Sequence, residues 1–224
     1  MVLAAASGAP AQPDAPEPFE KRAASAKVLI FRPSEDLRRP AALVVALHGL
    51  GGTAEGVAPV WQTVADRAGV VLAVPEAVER FEAGTSWGKV EDCETLVLRA
   101  IAKARSQVPI DPRRIVLTGF SQGATMTYHV ALRHPDVFAG AIALAGRFDE
   151  SVTSVPSKAK VLPRFAILCG ERDRCPENNR AAARTLEAAG AQVLLKIYPG
   201  LGHELPPRSP MELYEALRFV LGVM

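Results

Sequence analysis

The residues Gly119-Phe-Ser-Gln-Gly123 form a GxSxG motif, a pattern that can present a serine as a nucleophile. A strand is predicted directly before this motif and a helix directly after it, to about Arg133. Two glycines in that position allow a sharp turn that exposes the Ser121 hydroxyl, and the N-terminus of the helix favours developing negative charge. A serine hydroxyl is a weak nucleophile, so Ser121 needs a base and an acid that orients the base.

The candidate base is His203, which lies in the loop Gly200-Leu-Gly-His-Glu204 after the last predicted strand. A histidine flanked by a glycine in such a loop has no core to pack against, and its pKa range suits proton transfer. His134 ends the helix that follows Ser121, where its charge would complement the helix C-terminus. His48 precedes Ser121 and directly follows a strand, so we expect it to fix the geometry of that turn.

The candidate acid is Asp173, in the loop Gly170-Glu-Arg-Asp-Arg174 that follows the second-to-last predicted strand. In triads built on a GxSxG turn, the acid precedes the base along the chain. Glu171 and Asp149 are the alternatives, and Asp173 could instead be a turn or capping residue ahead of the helix at Pro176.

Two backbone amides could bind the oxyanion that forms when the serine attacks a carbonyl carbon. One is the amide of Gln122, directly after the nucleophile, and the other is the amide of Leu50 in the loop His48-Gly-Leu-Gly-Gly52. The amide of Gly51 is the alternative to Leu50, and the loop could also be a plain turn between a strand and a helix.

Substrate-pocket residues are harder to predict. Trp87 lies in a predicted loop over residues 75–90, where it could line the pocket or anchor the loop. Leu205 and Pro206 follow the candidate base directly and could also line the pocket.

The three cysteines are too few for a disulfide scaffold, and the chain has neither a CxxC pair nor an HExxH string. We therefore expect no metal and no other cofactor. Cys169 and Cys175 bracket Asp173, and a disulfide between them would hold the acid loop. Cys169 could equally be a small core residue at the end of a strand.

The elements around these loops alternate between strand and helix, which predicts an α/β fold with a mostly parallel sheet and helices on both faces. We expect a flexible Ala/Pro-rich tail over residues 1–20 and a single domain over residues 21–224. No segment is long enough for a cap domain, and the only extra stretch is about residues 147–162. The predicted strands are 26–31, 42–47, 70–74, 114–118, 140–144, 164–169 and 192–198, and Pro109-Ile-Asp-Pro112 is predicted to be a turn.

Charge and hydropathy exclude several classes of function. The 26 basic and 24 acidic residues give a net charge of +2 with no run of like charge, so no nucleic-acid partner is expected. The longest apolar run, Ala41 to Leu47, is far too short for a transmembrane segment. The tail lacks the basic start of a signal peptide but could be the remnant of one, so both a cytoplasmic and an exported protein remain open. The oligomeric state is also open.

Four segments carry a family resemblance. They are His48-Gly-Leu-Gly51, Gly119-Phe-Ser-Gln-Gly123, Gly170-Glu-Arg-Asp173 and Gly202-His203. Together they resemble the phospholipase/carboxylesterase family of α/β-hydrolases, which includes acyl-protein thioesterases and small carboxylesterases. The segment from Pro109 to Gly119 is similar to the polyhydroxybutyrate-depolymerase and feruloyl-esterase group.

The resemblance covers about residues 26–222. It implies an α/β-hydrolase fold with Ser121 as nucleophile, His203 as base and Asp173 as acid, and with the Leu50 and Gln122 amides as oxyanion donors. Gly52 stands where thioesterase-like members carry Asp, so a thioester substrate is not implied.

The expected function is hydrolysis of carboxylic esters through an acyl-enzyme, on small-molecule or polymer-borne substrates. An acyltransferase or a thioesterase would use the same triad. A non-catalytic ligand-binding protein on the same fold is the alternative from a different class.

Overall fold

The computed structural model describes residues 17–34, 40–82, 84–149 and 161–223. Strands and helices alternate along these ranges. The strands are β1 (Val28–Phe31), β2 (Ala41–Leu47), β3 (Val71–Pro75), β4 (Glu79–Phe81), β5 (Gly84–Ser86), β6 (Ile110–Phe120), β7 (Gly140–Leu144), β8 (Arg164–Gly170) and β9 (Val193–Tyr198). The helices are α1 (Phe19–Ala24), α2 (Ala54–Ala68), α3 (Val90–Gln107), α4 (Gln122–Arg133), α5 (Pro176–Ala188) and α6 (Ser209–Leu221).

Seven strands form one sheet in the order β1-β3-β2-β6-β7-β8-β9. Only β1 runs antiparallel, at the edge against β3; the other six strands are parallel. All seven residues of β2 are buried, as a continuous apolar run in the middle of a parallel sheet requires. The predicted fold class, a mostly parallel sheet with helices, is confirmed.

The side chains of the central strands alternate between two apolar cores, one on each face of the sheet. Leu43, Val45 and Leu47 pack in the core that α3, α4 and α5 cover. Their neighbours along β2 pack in the core that α2 and α6 cover. Helices therefore lie on both faces and bury the central strands, whereas the edge strands β1 and β9 are half-buried.

Because the six parallel strands point the same way, the loops that follow them meet at one edge of the sheet, which we call the carboxyl edge. The candidate site residues lie on the segments that leave this edge, and Gln122 is the first residue of α4. The fold therefore brings together residues that are more than 150 positions apart in the sequence.

The structure corrects two sequence interpretations. Residues 75–90 are not a plain loop, because β4 and β5 pair as an antiparallel hairpin there. The predicted turn from Pro109 to Pro112 lies mostly inside β6, whose pairing with β2 shifts register between Ile110 and Ile115. Pro112 cannot donate to the ladder, and the Arg113 amide instead bonds to the Asp111 carboxylate at 3.0 Å. The turn thus exists locally as an irregularity of a longer strand.

Two other expectations fall largely on residues that the structure does not describe. Residues 1–16 of the predicted tail lie outside the described ranges, and α1 begins at Phe19, inside the predicted tail. Most of the extra stretch 147–162 also lies outside them. Within the described ranges, no helix combines the length and the apolar character needed to cross a bilayer.

Candidate active site

Ser121 occupies the tight turn between β6 and α4, with φ +54° and ψ −116°. A non-glycine residue rarely adopts this backbone conformation, and its amide is fixed by a 2.9 Å bond to the Leu144 carbonyl. The flanking glycines are needed because the chain packs closely here. A Cβ on Gly119 would lie 2.3 Å from the Gly123 carbonyl carbon, and one on Gly123 would lie 2.6 Å from the His48 oxygen. The predicted motif therefore forms the strained turn that its glycines suggested.

Asp173, His203 and Ser121 form a continuous hydrogen-bonded chain. His203 Nδ1 lies 2.7 Å from Asp173 Oδ2, and Nε2 lies 2.9 Å from Ser121 Oγ. Since a carboxylate only accepts hydrogen bonds, Nδ1 carries the proton and Nε2 accepts the serine hydroxyl proton. The Asp173 side chain is 1% exposed and that of His203 is 34% exposed. The structure thus brings the predicted nucleophile, base and acid together.

The loops that carry the acid and the base are bonded to each other. The Arg172 amide donates to the Leu201 carbonyl at 2.8 Å, and the Gly200 amide donates to Glu171 Oε2 at 2.9 Å. Glu171, one of the alternative acids, therefore supports the base loop instead of contacting the imidazole. Asp149, the other alternative, is not the residue that His203 contacts.

In the turn after β2, the amides of Gly51 and Gly52 both donate to carbonyl groups of the protein. Gly52 N–H donates to the Gly49 carbonyl at 3.0 Å, which closes a turn with Gly51 at φ +72°. The amide of Gly51 donates to the Thr85 carbonyl at 2.9 Å, so it is not available to a substrate. No acceptor for the amides of Leu50 or Gln122 is found among the described residues.

The hairpin of β4 and β5 holds this turn in place. Thr85 of β5 accepts from Gly51 and donates to the Gly52 carbonyl at 3.2 Å. The Gln122 side chain adds a second link, because Oε1 accepts from the Trp87 amide and Nε2 donates to Ser86 Oγ. Sequence reasoning missed Thr85, since a three-residue strand is too short to show a periodic pattern.

His48 stabilises the same turn, as expected from its position directly after β2. Its Nδ1 bonds to the Gly49 carbonyl at 2.7 Å, and its Nε2 accepts from the Ala77 amide at 3.3 Å. These partners require the neutral tautomer with the proton on Nδ1. Burial of the ring lowers the pKa of His48, which also favours the neutral form.

The structure corrects the assignment of Trp87 to the pocket. Trp87 is 1% exposed, and its Nε1 donates to the His48 carbonyl at 2.8 Å. Its ring lies 4.7 Å from the His48 ring, centroid to centroid. Trp87 therefore anchors its loop, because an indole that finds a polar partner is stable in the interior.

Leu205 does lie beside the reactive groups. It lines an apolar cavity of about 480 Å³ on one side of His203. The Phe120 ring, 5.1 Å from the His203 ring, forms part of the same wall. The other apolar side chains that line it are Val57, Val60, Trp61 and Leu144. An apolar substrate group placed here would lie next to His203, whose Nε2 is 2.9 Å from Ser121 Oγ.

Cys169 and Cys175 are free thiols, with their Sγ atoms 3.9 Å apart, so the hypothesised disulfide is not formed in this structure. Cys175 Sγ contacts Asp173 Oδ1 at 3.5 Å. These two cysteines and Asp173 are the one group of at least three potential metal ligands found within the described ranges. The Asp173 carboxylate is already hydrogen-bonded to His203, so we interpret this group as part of the hydrogen-bonded chain to Ser121.

A parallel sheet with a nucleophile turn after a central strand, and with acid and base on later loops, defines the α/β-hydrolase class. A solved structure of this class, that of esterase PE8, covers 88% of this chain and 99% of its own, with a TM-score of 0.72. At 21% identity this likeness establishes the fold alone.

The chain belongs to the phospholipase/carboxylesterase family, whose model matches residues 34–221. Among relatives, poly(3-hydroxyalkanoate) depolymerase C of Paucimonas lemoignei is 32% identical over 126 residues, which are 52% of this chain and 30% of that enzyme. Acyl-protein thioesterase 1 of Gibberella zeae is 32% identical over 115 residues, 49% of either chain. The chain thus spans half or less of the length of these relatives.

Proposed function

We propose that this protein hydrolyses carboxylic esters through an acyl-enzyme on Ser121. The observation that carries the proposal is the hydrogen-bonded chain from Asp173 through His203 to Ser121, together with two amides that have no acceptor among the described residues. Family membership supports the same reaction class, and the named relatives include enzymes of ester and thioester cleavage.

In the first half of the reaction, Ser121 Oγ attacks the ester carbonyl carbon while His203 Nε2 takes the hydroxyl proton. The amides of Leu50 and Gln122 donate to the oxyanion, and the N-terminus of α4 adds favourable electrostatics. The proton on Nε2 then passes to the alcohol oxygen as the carbon–oxygen bond breaks, which leaves the acyl group on Ser121.

In the second half, His203 Nε2 takes a proton from water, and the water oxygen attacks the acyl carbon. The same amides bind the second oxyanion, and Ser121 regains its proton as the acid departs. Asp173 stays ionised throughout, orienting the imidazole and stabilising its charged form. The substrates are small-molecule or polymer-borne esters whose apolar group fits the cavity beside Leu205.

Replacing the nucleophile tests this proposal. Ser121→Ala should lower kcat for 4-nitrophenyl acetate by a factor on the order of 10⁶, because the acyl-enzyme cannot form. A fluorophosphonate probe should label the parent at Ser121. The matched control is Ser106→Ala, which removes an exposed hydroxyl at the end of α3 and should change neither result. Labelling at another residue, or activity of Ser121→Ala within tenfold of the parent, contradicts the proposal.

A further inference from the structure

A second cavity, polar and about 270 Å³ in volume, is lined by Ser121, Gln122 and His203. The described residues that line it also include Thr125, Arg147 and Arg174. Among the described residues the two cavities share His203, and they differ in character, because one is apolar and the other is polar and carries two arginines.

The backbone that carries Arg147 is fixed on both sides. The Arg147 amide donates to Thr125 Oγ1 of α4 at 3.1 Å. The next residue, Phe148, exchanges two 2.8 Å bonds with the Asn178 side chain of α5. The preceding residue, Gly146, accepts from Asn179 Nδ2 at 2.9 Å. Contacts with α4 and α5 thus fix the backbone position of Arg147, although its side chain is exposed.

Arg174 is held by the triad acid. It directly follows Asp173 in the loop between β8 and α5, and its amide donates to Asp173 Oδ1. Its side chain is exposed, like that of Arg147. Within the described ranges, no carboxylate lies within ion-pair distance of either guanidinium.

The accessible charge in this cavity is positive. Asp173 also lines it, but that carboxylate is buried and bonded to His203, the Arg174 amide and the Cys175 thiol. Two guanidinium groups that have no carboxylate partner in the part of the chain that the structure describes offer planar, bidentate donors that match a carboxylate or phosphate. The whole chain carries a net charge of only +2, so general surface charge does not account for this local excess.

We propose that the cavity bounded by Arg147 and Arg174 binds an anionic group of the ester substrate, a carboxylate or a similarly sized oxyanion. This inference rests on the proposed esterase function and specifies its substrate class. The apolar part of such an ester occupies the cavity beside Leu205, and the anion lies in the cavity that Arg147 and Arg174 line.

The test compares esters that differ only in one anionic group. On the alcohol side, 4-acetoxybenzoate is matched with its methyl ester. On the acyl side, the 4-nitrophenyl monoester of adipate is matched with 4-nitrophenyl hexanoate. For each pair we take the ratio of kcat/KM for the anionic ester to that for the neutral one, and the pair with the higher ratio shows which half of the ester carries the anion.

In the parent, at least one pair should give a ratio above one. Arg147→Gln and Arg174→Gln should each lower that ratio about fivefold, and the double variant more than tenfold, because each removes a charge-assisted contact. Arg172→Gln removes the same charge from the same loop as Arg174 without lining the cavity, so its ratio should stay within twofold of the parent. The parent ratio should also fall as salt rises from about 0.01 to 1 M, because these charges are exposed.

A kcat/KM ratio of one or less for both ester pairs in the parent overturns the inference. So does a ratio that is unchanged in the double variant, or one that falls as much in Arg172→Gln as in Arg147→Gln and Arg174→Gln. Turnover of the neutral esters separates this result from the proposed function. If the parent hydrolyses them while the ratios do not respond to the arginines, only the inference fails. If the parent hydrolyses no ester, the esterase proposal fails and the inference with it.

Discussion

His48 shows how one buried side chain can make the carboxyl edge sensitive to pH. Its Nε2 accepts a hydrogen bond from the Ala77 amide at 3.3 Å and also lies 3.3 Å from the Thr85 hydroxyl oxygen. Protonation would turn that acceptor into a donor facing an N–H group. The ring is also buried, and this desolvation lowers the pKa of His48 below its value in the unfolded chain.

The free energy of unfolding should therefore fall as the pH drops below about 6.5. Between the pKa of His48 in the folded protein and its higher pKa in the unfolded chain, the unfolded chain binds more protons, so lowering the pH favours unfolding. His129 adds to the effect, because its burial also lowers its pKa. Urea unfolding at pH 7.5, 6.5 and 5.5 measures the slope, and His48→Gln should flatten it. An unchanged slope in His48→Gln would contradict this account.

The contacts among Ser121, His203 and Asp173 were predictable because local sequence patterns carry their geometry. The glycines around Ser121 and the position of His203 after the last strand follow from turn chemistry and chain order. The choice of the Leu50 amide over that of Gly51 did not follow, because it depends on Thr85, a residue 35 positions away. Trp87 was ambiguous for a related reason: an aromatic residue in a loop can line a pocket or anchor the loop, and only its burial decides.

At the scale of elements, the hairpin of β4 and β5 holds the turn after β2, which carries Leu50, the proposed oxyanion donor. Its close approach depends on Gly84, where an added Cβ would lie 2.0 Å from the Gly51 carbonyl oxygen and 3.0 Å from that of Gly52. Both neighbours are backbone atoms, which cannot move aside as a flexible side chain could. A side chain at position 84 must therefore displace the hairpin or the turn.

Gly84→Ala should lower kcat by about 10²-fold, because it moves the turn that presents the Leu50 amide. The rate of fluorophosphonate labelling should fall as well, since the probe places an oxygen in the same site. Arg80→Ala, an exposed change in the same hairpin, is the matched control and should have little effect. If kcat for Gly84→Ala stays within twofold of the parent, the hairpin does not position the oxyanion donors.

The acid loop is a second element with a specific chemical property. Its two ends carry Cys169 and Cys175, and the hydrogen-bonding contact with Cys175, at 3.9 Å between the Sγ atoms, lowers the pKa of the Cys169 thiol. A lower pKa makes a thiol more reactive towards disulfide-forming reagents. By contrast, burial raises the pKa of Cys93, the third cysteine.

Treatment of the native protein with diamide should oxidise Cys169 and Cys175 to a disulfide while the diazene accepts the two hydrogens. A thiol count on the denatured, unreduced product should then find one free thiol, at Cys93, against three in the untreated protein. Peptide mapping assigns the bond. The Cys175→Ser variant should keep its two remaining thiols. Three free thiols after treatment of the parent would show that the loop cannot bring the sulfur atoms together.

The strands of the sheet were predictable and the small hairpin was not, for one physical reason. Strands such as β2 and β7 are buried on both faces, so every residue must be apolar and the pattern is continuous. The strands β4 and β5 are each three residues long and partly exposed, so nothing in their composition separates them from a loop. The strand β6 was predicted too short because Pro112 normally ends a strand, whereas here the ladder bulges around it.

At the scale of the whole molecule, the apolar cavity beside Leu205 sets a limit on substrate size. It measures about 480 Å³, and the buried Trp61 forms part of its wall. Each methylene buried there contributes about 0.8 kcal/mol, or about fourfold in kcat/KM, only while space remains.

Across 4-nitrophenyl esters from acetate to palmitate, kcat/KM should rise at short chain lengths and then fall, with butyrate above palmitate. Measurements below the aggregation limit of each ester keep the comparison free of micelles. Trp61→Ala would enlarge the cavity and should move the optimum to longer chains, if the variant folds. A kcat/KM that climbs steadily to palmitate in the parent would mean that the acyl chain does not end in this cavity.

The parallel arrangement of six strands also leaves the opposite edge of the sheet without a part in the chemistry. The turn between α5 and β9 lies there, and at Gly190 an added Cβ would have no heavy atom within 4 Å. A linker, dye or solid support attached at this turn would leave the carboxyl edge facing the solution. The protein could therefore be immobilised through this opposite edge in a defined orientation. Ser121 would then remain accessible from solution.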